Sequence, residues 1–347
     1  MGDRKPGAAR ATADRSPNAL VTVAVPTFNR AAYLRQSLES IRGQTYSQLE
    51  ILVGDNASTD GTAGLLSELA AAEPRLRGIR HDRNLGMVGN FNALLRAARG
   101  EYFMLVSDDD ILSPRAVELL VAACRRPGVQ LAYGAFAVID SAGDVRAVAR
   151  RQGPGVERGA DFIRAHLRGE RAVTLAGTMF PIGPPDRREY YDEEIGSVCD
   201  LLQRLTLASR GDVAAVSDVV AQYRVHDSSL TSSAADFAAS HFRVLSNRSV
   251  VTGELSEYRS DVAAYVRKYV THLALSAAAR GNVPAALRTV SVMEAHGVPV
   301  APLRARIRVV SFPPVRLLTA ARRAVLAWRA KRAMANVSPT SADLPSE

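Results

Sequence analysis

Hydrophobic positions follow two periodicities in the first third of the chain. Short, largely apolar runs at Leu20–Val25, Leu49–Val53 and Tyr102–Val106 predict buried strands. Apolar residues with helical spacing follow each of them, around Leu34–Ile41, Leu65–Leu69, Val88–Leu95 and Val117–Cys124. Ser113 and Pro114 have the residue types of an N-cap and a first helical position for the last of these helices.

Strands that alternate with helices predict an α/β fold, in which a parallel sheet carries helices on both faces. Ligands of such sheets bind beyond the carboxyl ends of the strands. Three polar clusters follow strands directly: Pro26–Arg30, Asp55–Asn56 and Ser107–Asp110. We therefore expect the functional site at this edge of the sheet.

The pattern changes after Leu131. A hairpin is predicted from Ala132–Asp140 and Val145–Val148, a helix over Asp200–Ser209, and a strand over Val213–Val216. From Asp236 onward the chain is Ala-rich and helical in composition.

Composition and hydrophobic pattern argue against a secreted, a membrane-spanning or a collagen-like protein. The chain has 347 residues, 47% of them hydrophobic, and two cysteines, which are too few for a disulfide framework. It has no apolar run near the ~20 residues of a spanning helix, and its first residues lack the apolar core of a signal peptide.

The net charge of +9 comes from one segment. Nine basic and no acidic residues lie between Glu294 and Asp343, so the rest of the chain sums to zero. We therefore expect no nucleic-acid partner.

Three consecutive aspartates, Asp108 to Asp110, follow the strand at Tyr102–Val106. Adjacent carboxylates raise each other's pKa or recruit a cation, and oxygen ligands suit Mg²⁺ or Mn²⁺. The alternative is a solvated loop whose carboxylates cap the next helix. The position after a buried strand favours the metal site.

Four motifs in order resemble family 2 glycosyltransferases of the GT-A fold. They are Val23-Ala24-Val25-Pro26-Thr27-Phe28-Asn29-Arg30, Asp55-Asn56-Ala57-Ser58-Thr59-Asp60-Gly61-Thr62, Arg83-Asn84-Leu85-Gly86, and Gly100-Glu101-Tyr102 leading to Asp108-Asp109-Asp110. The resemblance covers residues 20 to about 230. It implies a Rossmann-like, mostly parallel sheet flanked by helices, and inverting transfer of a sugar from a nucleotide donor, with UDP- or dTDP-sugars expected.

The resemblance implies specific site residues. The expected donor-binding residues are Pro26, Thr27, Phe28, Asn29, Arg30, Asp55, Asn56, Arg83, Asn84, Gly86 and Asp108. Asp109 is the expected ligand of Mg²⁺ or Mn²⁺, and His226, in Tyr223-Arg224-Val225-His226, is the expected second ligand. The family's metal motif is usually Asp-x-Asp, and Ser107 occupies its first position here, which puts the metal dependence in question.

Inverting transfer needs a general base for the acceptor hydroxyl. The family supplies it from an acidic pair at a helix start, and the matching carboxylate here is Asp200. Its alternative role is a first-turn aspartate favoured by the helix dipole. Glu193 and Glu194 are the fallback bases.

The resemblance also divides the chain. We expect a disordered tail at 1–19 and a GT-A domain at 20–230, split into a nucleotide-sugar half (20–130) and an acceptor half (131–230). A helical C-terminal region (231–335) and a disordered tail (336–347) follow.

Residues 302–335 include a basic amphipathic helix with an apolar face that carries Trp328. Such a helix can lie on a membrane surface or pack on the catalytic domain. The expected location is cytoplasmic, at the inner face of the cell membrane if the helix binds lipid.

The expected activity is glycosyl transfer to a hydroxyl of a saccharide, lipid-linked glycan or small metabolite. One alternative is a nucleotidyltransferase, against which the absence of glycine from Pro26–Arg30 argues. The other is a degenerate sugar-nucleotide-binding protein without turnover, suggested by Ser107.

Overall fold

The computed structural model describes residues 18–150, 153, 155–188, 190–226 and 234–312. Among them, ten strands form one mixed sheet in the order β3-β2-β1-β4-β9-β6-β10-β5, with β7 paired to β6 and β8 to β10. The expected α/β fold, a sheet flanked by helices with a helical C-terminal region, is confirmed.

The nucleotide half contains five strands and four helices. In chain order they are β1 Val21–Thr27, α1 Ala31–Arg42, β2 Leu49–Asp55, α2 Thr62–Ala72, β3 Leu76–Arg80, α3 Gly86–Ala97, β4 Tyr102–Leu105, β5 Ile111–Leu112 and α4 Ala116–Cys124. Strands β1 to β4 pair in parallel, with β1 between β2 and β4. Their carboxyl ends therefore meet at one edge.

The remaining elements form the acceptor half and the helical region. They are β6 Val129–Ile139, β7 Val145–Ala149, β8 Val156–Arg158, α5 Gly159–Arg168, β9 Thr178–Pro181, α6 Cys199–Ser209, β10 Asp212–Arg224, α7 Ala234–Ser246, α8 Arg248–Val251, α9 Arg259–Ala279, α10 Val283–Ala295 and α11 Ala301–Ser311. Strand β10 runs parallel to β6 and antiparallel to β5 and β8. The expected hairpin is present as β6 and β7.

Strands β1, β2 and β4 of the nucleotide half are buried on both faces. Val21, Val23 and Val25 belong to the hydrophobic cluster that α1, α2 and α4 complete. Ala24 belongs to the cluster on the other face, with α3. Because strand side chains alternate between faces, one apolar run feeds both clusters.

The helical region shares the second of these clusters with the acceptor half. Phe162 of α5 and Leu205 of α6 lie in the same buried cluster as Val266 of α9 and Val290 of α10. The helices from α7 onward therefore cover α5 and α6, and this contact places α7 and α9 beside the site described below.

The start of α4 differs from the prediction. The helix begins at Ala116, and Ser113 does not cap it with its side chain. Instead, Ser113 donates its backbone N–H to the Val220 carbonyl at 2.9 Å, which extends the β5–β10 pairing. The side-chain oxygen of Gln44 accepts the N–H of Val117 at 3.0 Å, so a residue distant in sequence caps the helix.

Of the segment 302–335 that was predicted to include a basic amphipathic helix, the structure describes only residues 302–312, most of which lie in α11. Leu303 and Ile307 are buried against the rest of the protein, and Arg304 pairs with Glu294 at 2.9 Å. The described residues do not include 313–335, the range that contains Trp328. They also do not include the predicted tail 336–347 or residues 1–17. No helix within the described ranges has the length and apolarity needed to cross a membrane.

Candidate active site

The three aspartates after β4 lie at the carboxyl edge of the sheet and are nearly enclosed. Asp108, Asp109 and Asp110 expose 6%, 8% and 1% of their surface. Burying adjacent carboxylates is costly unless hydrogen bonds or cations compensate them. The partners of each carboxylate therefore define its role.

Asp108 faces the end of β1. Thr27 donates its hydroxyl to Asp108 Oδ2 at 2.8 Å, and Arg30 Nη1 lies 3.5 Å from Oδ1. Burial raises the pKa of Asp108 to about 7, with Arg30 opposing that rise and Asp109 adding to it. Asp108 thus couples the β4 turn to the β1 turn.

Asp109 is the carboxylate that the sequence singles out for a metal. Its Oδ2 lies 2.8 Å from Arg30 Nη1 and 2.9 Å from His226 Nε2. Tyr33 stacks on the His226 ring, with centroids 4.8 Å apart. The structure therefore brings together the two expected metal ligands, although they are 117 positions apart in the chain.

Asp109 and His226 are hydrogen-bonded at 2.9 Å, and Arg30 shares the same carboxylate oxygen. Two adjacent ligands of an octahedral ion lie about 3.0 Å apart, so this separation would also admit one cation. Within the described part of the chain, no group of three or more His, Cys, Asp or Glu side chains could hold an ion. An ion here would take its remaining ligands from water and from a bound diphosphate, as Mg²⁺ commonly does.

Asp110 points away from this pair and supports it. Its Oδ1 accepts the backbone N–H of Arg224 at 2.9 Å, while its Oδ2 is buried with no hydrogen-bond partner among the described residues. Burial raises the pKa of Asp110 well above its usual value.

The side chain of Arg224 fixes the same turn from the other side. It is 2% exposed and donates to the Asp109 carbonyl at 2.9 Å and to Gln36 at 3.0 Å. It also donates to the carbonyls of Asp140 and Ser141, each at 3.2 Å. Arg224 therefore ties the aspartate turn to α1 and to the β6–β7 hairpin.

The turn after β1 contributes part of the cavity wall. Pro26, Thr27, Phe28 and Arg30 line the cavity. Asn29 does not line it. Instead, Asn29 adopts φ 55° and its side-chain oxygen accepts the N–H of Thr59 at 2.7 Å, which holds the turns after β1 and β2 together.

Two expected donor-binding residues at the end of β2 differ in their access to the cavity. Asn56 lines the cavity, whereas Asp55 is fully buried beside it. The two oxygens of Asp55 accept from the Ser58 N–H at 2.9 Å and from Arg80 at 2.6 Å. Arg80 was not among the sequence candidates, because β3, which carries it, has too few apolar residues to stand out.

The residues of the Arg83–Gly86 turn also differ in which pocket they line. Asn84 and Gly86 line the cavity, and Gly86 has φ +75°, which suits glycine. Asn84 accepts from Asn56 at 2.8 Å. Arg83 is exposed and lines a neighbouring surface pocket instead of the main cavity.

Asp200 lies on α6, in the wall of the same cavity. Its Oδ2 accepts from Arg204 at 2.8 Å, one helical turn away. The fallback bases Glu193 and Glu194 are exposed and do not line the cavity. The structure thus brings together Asp200 with Asp108 and Asp109, but not the fallback bases.

The cavity has a volume of about 580 Å³ and continues past Asp200. We call this end the inner chamber; it is lined by His166 of α5, Asp200 and Arg204 of α6, Phe237 and His241 of α7, and Tyr265 and Tyr269 of α9. Sequence analysis missed every member except Asp200. The only sequence signal is the Tyr265/Tyr269 spacing on one face of a helix, and that spacing is equally common in helices that pack in a core.

Comparisons with known proteins bear on the family and the fold of the chain. Residues 22–183 match the sequence model described as Glycosyl transferase family 2. A protein of Haemophilus influenzae named an uncharacterized glycosyltransferase is 34% identical over 117 residues. That match covers 34% of this chain and 36% of the relative, so the chain matches only about a third of that protein's length.

Two solved structures have similar folds. S. aureus TarS 1–349, in complex with UDP-GlcNAc, has a TM-score of 0.59 at 16% identity, covering 88% of this chain and 91% of that 1–349 chain. A mannosyltransferase from Pyrobaculum calidifontis, in complex with GDP-Man and Mn²⁺, has a TM-score of 0.53 at 19% identity, covering 97% of this chain and 92% of that one. At these identities the likeness shows the fold alone.

Proposed function

Residues 22–183 belong to glycosyl transferase family 2, and from this we propose that the chain transfers a sugar from a nucleoside diphosphate donor to a hydroxyl acceptor. The observation that carries the proposal is one cavity lined by Asp109, whose Oδ2 lies 2.9 Å from His226 Nε2, and, on another wall, by Asp200; His226 itself does not line the cavity. A donor needs the first group and an acceptor needs the second. Neither group alone would distinguish a transferase from a nucleotide-binding protein.

The donor nucleotide is assigned to the carboxyl edge of the sheet. Pro26, Phe28, Asn56 and Asn84 offer an apolar and amide wall there, as a nucleoside requires. Arg30 reaches the cavity beside the aspartates, where its guanidinium can pair with diphosphate oxygens. A UDP- or dTDP-sugar remains the expected donor, and GDP-sugars enter the test because one structural neighbour binds GDP-Man.

The divalent ion, Mg²⁺ or Mn²⁺, is assigned to Asp109 and His226. Their 2.9 Å separation fits two adjacent ligands of one ion. When bound, such an ion supplies positive charge that stabilises the leaving diphosphate. The mannosyltransferase neighbour with Mn²⁺ supports a metal here but has only 19% identity.

Asp200 is the proposed general base. Arg204 holds Oδ2, so Oδ1 can accept a proton from an acceptor hydroxyl. As the acceptor oxygen forms its bond to the anomeric carbon, the bond from that carbon to the diphosphate oxygen breaks, and its electron pair leaves with the diphosphate. Attack opposite the leaving group inverts the anomeric centre.

The experiment is thermal unfolding of the purified protein with UDP, dTDP or GDP, each with and without Mn²⁺. A ligand at ~100 times its dissociation constant adds roughly 2.7 kcal/mol to the free energy of unfolding. We expect one nucleotide to stabilise the protein only with Mn²⁺, and Asp109→Asn to lose that response. A well-folded protein that responds to no nucleotide would refute the donor site.

A further inference from the structure

The inner chamber differs in chemistry from the rest of the cavity. We call the other end, around Thr27, Arg30, Asp108 and Asp109, the strand-end half; its charged side chains pair with one another. The inner chamber instead has aromatic rings and two polar atoms without hydrogen-bond partners among the described residues. Four of the inner chamber's members come from α7 and α9, outside the stretch that matches the family model. Its occupant is therefore argued here from its own residues.

Two buried polar atoms in the inner chamber lack hydrogen-bond partners among the described residues. They are Nε2 of His166 and Nε of Arg204. His166 exposes 6% of its surface and Arg204 exposes 8%. Neither atom has appreciable accessible surface in this structure, so a ligand in the chamber would reach them only after a small movement of the two side chains. Leaving such groups unsatisfied costs free energy, which a ligand that pairs with them after that movement would recover.

The two atoms have opposite hydrogen-bonding character. Nδ1 of His166 lies 3.2 Å from the Arg171 carbonyl, which can only accept, so Nδ1 carries the proton and Nε2 offers a lone pair. Burial, with the charge of Arg204, lowers the pKa of His166 to about 4, so the ring is neutral at pH 7. Arg204 Nε–H is a donor. A hydroxyl-bearing ligand satisfies both atoms, because each hydroxyl both donates and accepts.

A stack of aromatic rings forms another wall of the inner chamber. His241 stacks on Tyr269 with centroids 4.6 Å apart, and Tyr269 stacks on Tyr265 at 5.6 Å. Burial raises the pKa of Tyr265 to about 12 and raises that of Tyr269 as well, so both phenols stay protonated. Ring faces with hydroxyls at their edges suit a ligand with apolar C–H faces and polar edges.

The charges of the inner chamber cancel. Asp200 and Arg204 form one ion pair, and burial lowers the pKa of both His166 and His241, which keeps the two rings neutral. A phosphate or carboxylate would meet no uncommitted cation among these lining residues. A neutral ligand has no such penalty.

We propose that the inner chamber is the acceptor subsite and that it binds a neutral saccharide, with the ring on the Tyr265–Tyr269 stack and its hydroxyls on His166 and Arg204. This deepens the proposed function and rests on it, because the acceptor hydroxyl must reach Asp200. It assigns acceptor selection to α5, α7 and α9. His166, Tyr265 and Tyr269 are thereby acceptor-binding residues.

The test separates donor chemistry from acceptor binding. The thermal panel identifies the nucleotide, and release of that nucleoside diphosphate is measured from several of its sugar conjugates without acceptor. The measurement is then repeated with methyl glycosides of glucose, galactose, mannose and N-acetylglucosamine. Glucuronic acid and glycerol phosphate serve as anionic probes. We expect at least one neutral glycoside, and neither anion, to accelerate release by the wild-type protein.

Variants identify the subsite. His166→Phe and Tyr269→Ala should raise the KM for that glycoside about tenfold, the equivalent of one lost hydrogen bond or stacking contact. The KM for the donor should stay unchanged. Tyr269→Phe, which keeps the ring and loses only the hydroxyl, should raise the glycoside KM less than Tyr269→Ala does. His272→Ala, an exposed position on the same helix, is the matched control.

Two results would overturn the proposal while leaving the proposed function intact. One is donor turnover that no neutral glycoside accelerates, or that an anion accelerates more. The other is an unchanged glycoside KM in both His166→Phe and Tyr269→Ala with folding confirmed by thermal unfolding; His166→Gln replaces His166→Phe if that variant does not fold. Failure of the proposed function would look different, because the wild-type protein would then release no diphosphate from any donor.

Discussion

The two ends of the cavity differ in how far their polar groups are already hydrogen-bonded. At the strand-end half, Asp109 bonds to Arg30 and His226, and Thr27 bonds to Asp108, so most polar groups already have partners. In the inner chamber, one polar atom each of His166 and Arg204 has no hydrogen-bond partner among the described residues, and an aromatic stack lies beside them. On the functions proposed above, the first end binds one charged ligand, whereas the second gains further hydrogen bonds when its ligand binds.

This difference has a structural origin. The strand-end half is built on parallel strands, whose hydrogen bonds fix the position of each turn. The side chain of Arg224, on β10, adds a hydrogen bond to the Asp109 carbonyl. The inner chamber is assembled from the sides of α5, α6, α7 and α9, which pack on one another through one buried hydrophobic cluster. We therefore expect substitutions at the first end to alter chemistry and stability, and those at the second to alter selectivity.

The largest effect is expected at the junction between the two ends. Asp200→Asn should lower the transfer rate about 10²- to 10⁴-fold, because the amide cannot take the acceptor proton, while nucleotide affinity stays unchanged. Steady-state diphosphate release and nucleotide titration measure the two quantities. Glu194→Gln is the matched control at an exposed fallback position. If the control loses activity and Asp200→Asn does not, the base is misassigned.

The next effect concerns the stability of the strand-end half. Arg224→Met should cost about 3–5 kcal/mol of unfolding free energy, because it strips a buried network of its cation and leaves several carbonyls without donors. Urea denaturation measures the change. Arg35→Met, which breaks the exposed pair with Glu68, should cost less than about 1 kcal/mol. Equal losses in the two variants would contradict the assigned role of Arg224.

A pH effect is expected from the inner chamber. In the folded protein the pKa of His166 is lowered from the usual 6.5 to about 4, mainly by burial and secondly by the charge of Arg204. The hydrogen bond to the Arg171 carbonyl and the charge of Asp200 oppose this shift. The unfolded chain therefore binds more protons between these values, and stability falls as pH drops from about 6.5 to about 4. The full contribution is up to about 3 kcal/mol.

The variant that isolates this effect is His166→Phe. It should flatten the fall in unfolding free energy between pH 6.5 and 4, as measured by urea titrations at several pH values. His272→Ala, exposed on α9, should keep the wild-type slope. An unchanged slope in His166→Phe would show that the histidine titrates normally in the folded protein.

The smallest effect is expected at Arg83. Its side chain lies outside the main cavity, so Arg83→Ala should weaken nucleotide binding less than about fivefold, the range of a distant, exposed charge. Arg30→Ala should weaken binding more, because Arg30 lines the cavity beside the aspartates. Calorimetric titration of both variants makes the comparison. A larger loss at Arg83 would restore the role that the family resemblance implies for it.

Site residues could be predicted from the sequence where a polar motif comes directly after a strand. The turns after β1, β2 and β4 carry their polar residues in contiguous motifs, so the positions of Thr27, Arg30, Asp108 and Asp109 at one edge could be expected. The pairing of Asp109 with His226 came from family resemblance, and the structure brings the two residues together.

The inner chamber could not be predicted in the same way. His166, His241 and Tyr269 belong to separate helices, and each alone resembles an ordinary core residue. Their juxtaposition depends on how α7 and α9 pack on α5 and α6, which hydrophobic spacing does not specify. The same limitation applies to Gln44 at the start of α4, because a cap supplied from another helix leaves no local signal.

The most direct test of the account is release of nucleoside diphosphate from UDP-GlcNAc, a dTDP-sugar and GDP-Man by the purified protein, with Mn²⁺ and with a chelator. The account predicts release from one donor, dependence on the metal, acceleration by a neutral glycoside, and loss of release in Asp200→Asn. Tight metal-dependent binding of a nucleotide without release from any of these donors, with or without a glycoside, would contradict it. That result would identify the chain as a sugar-nucleotide-binding protein.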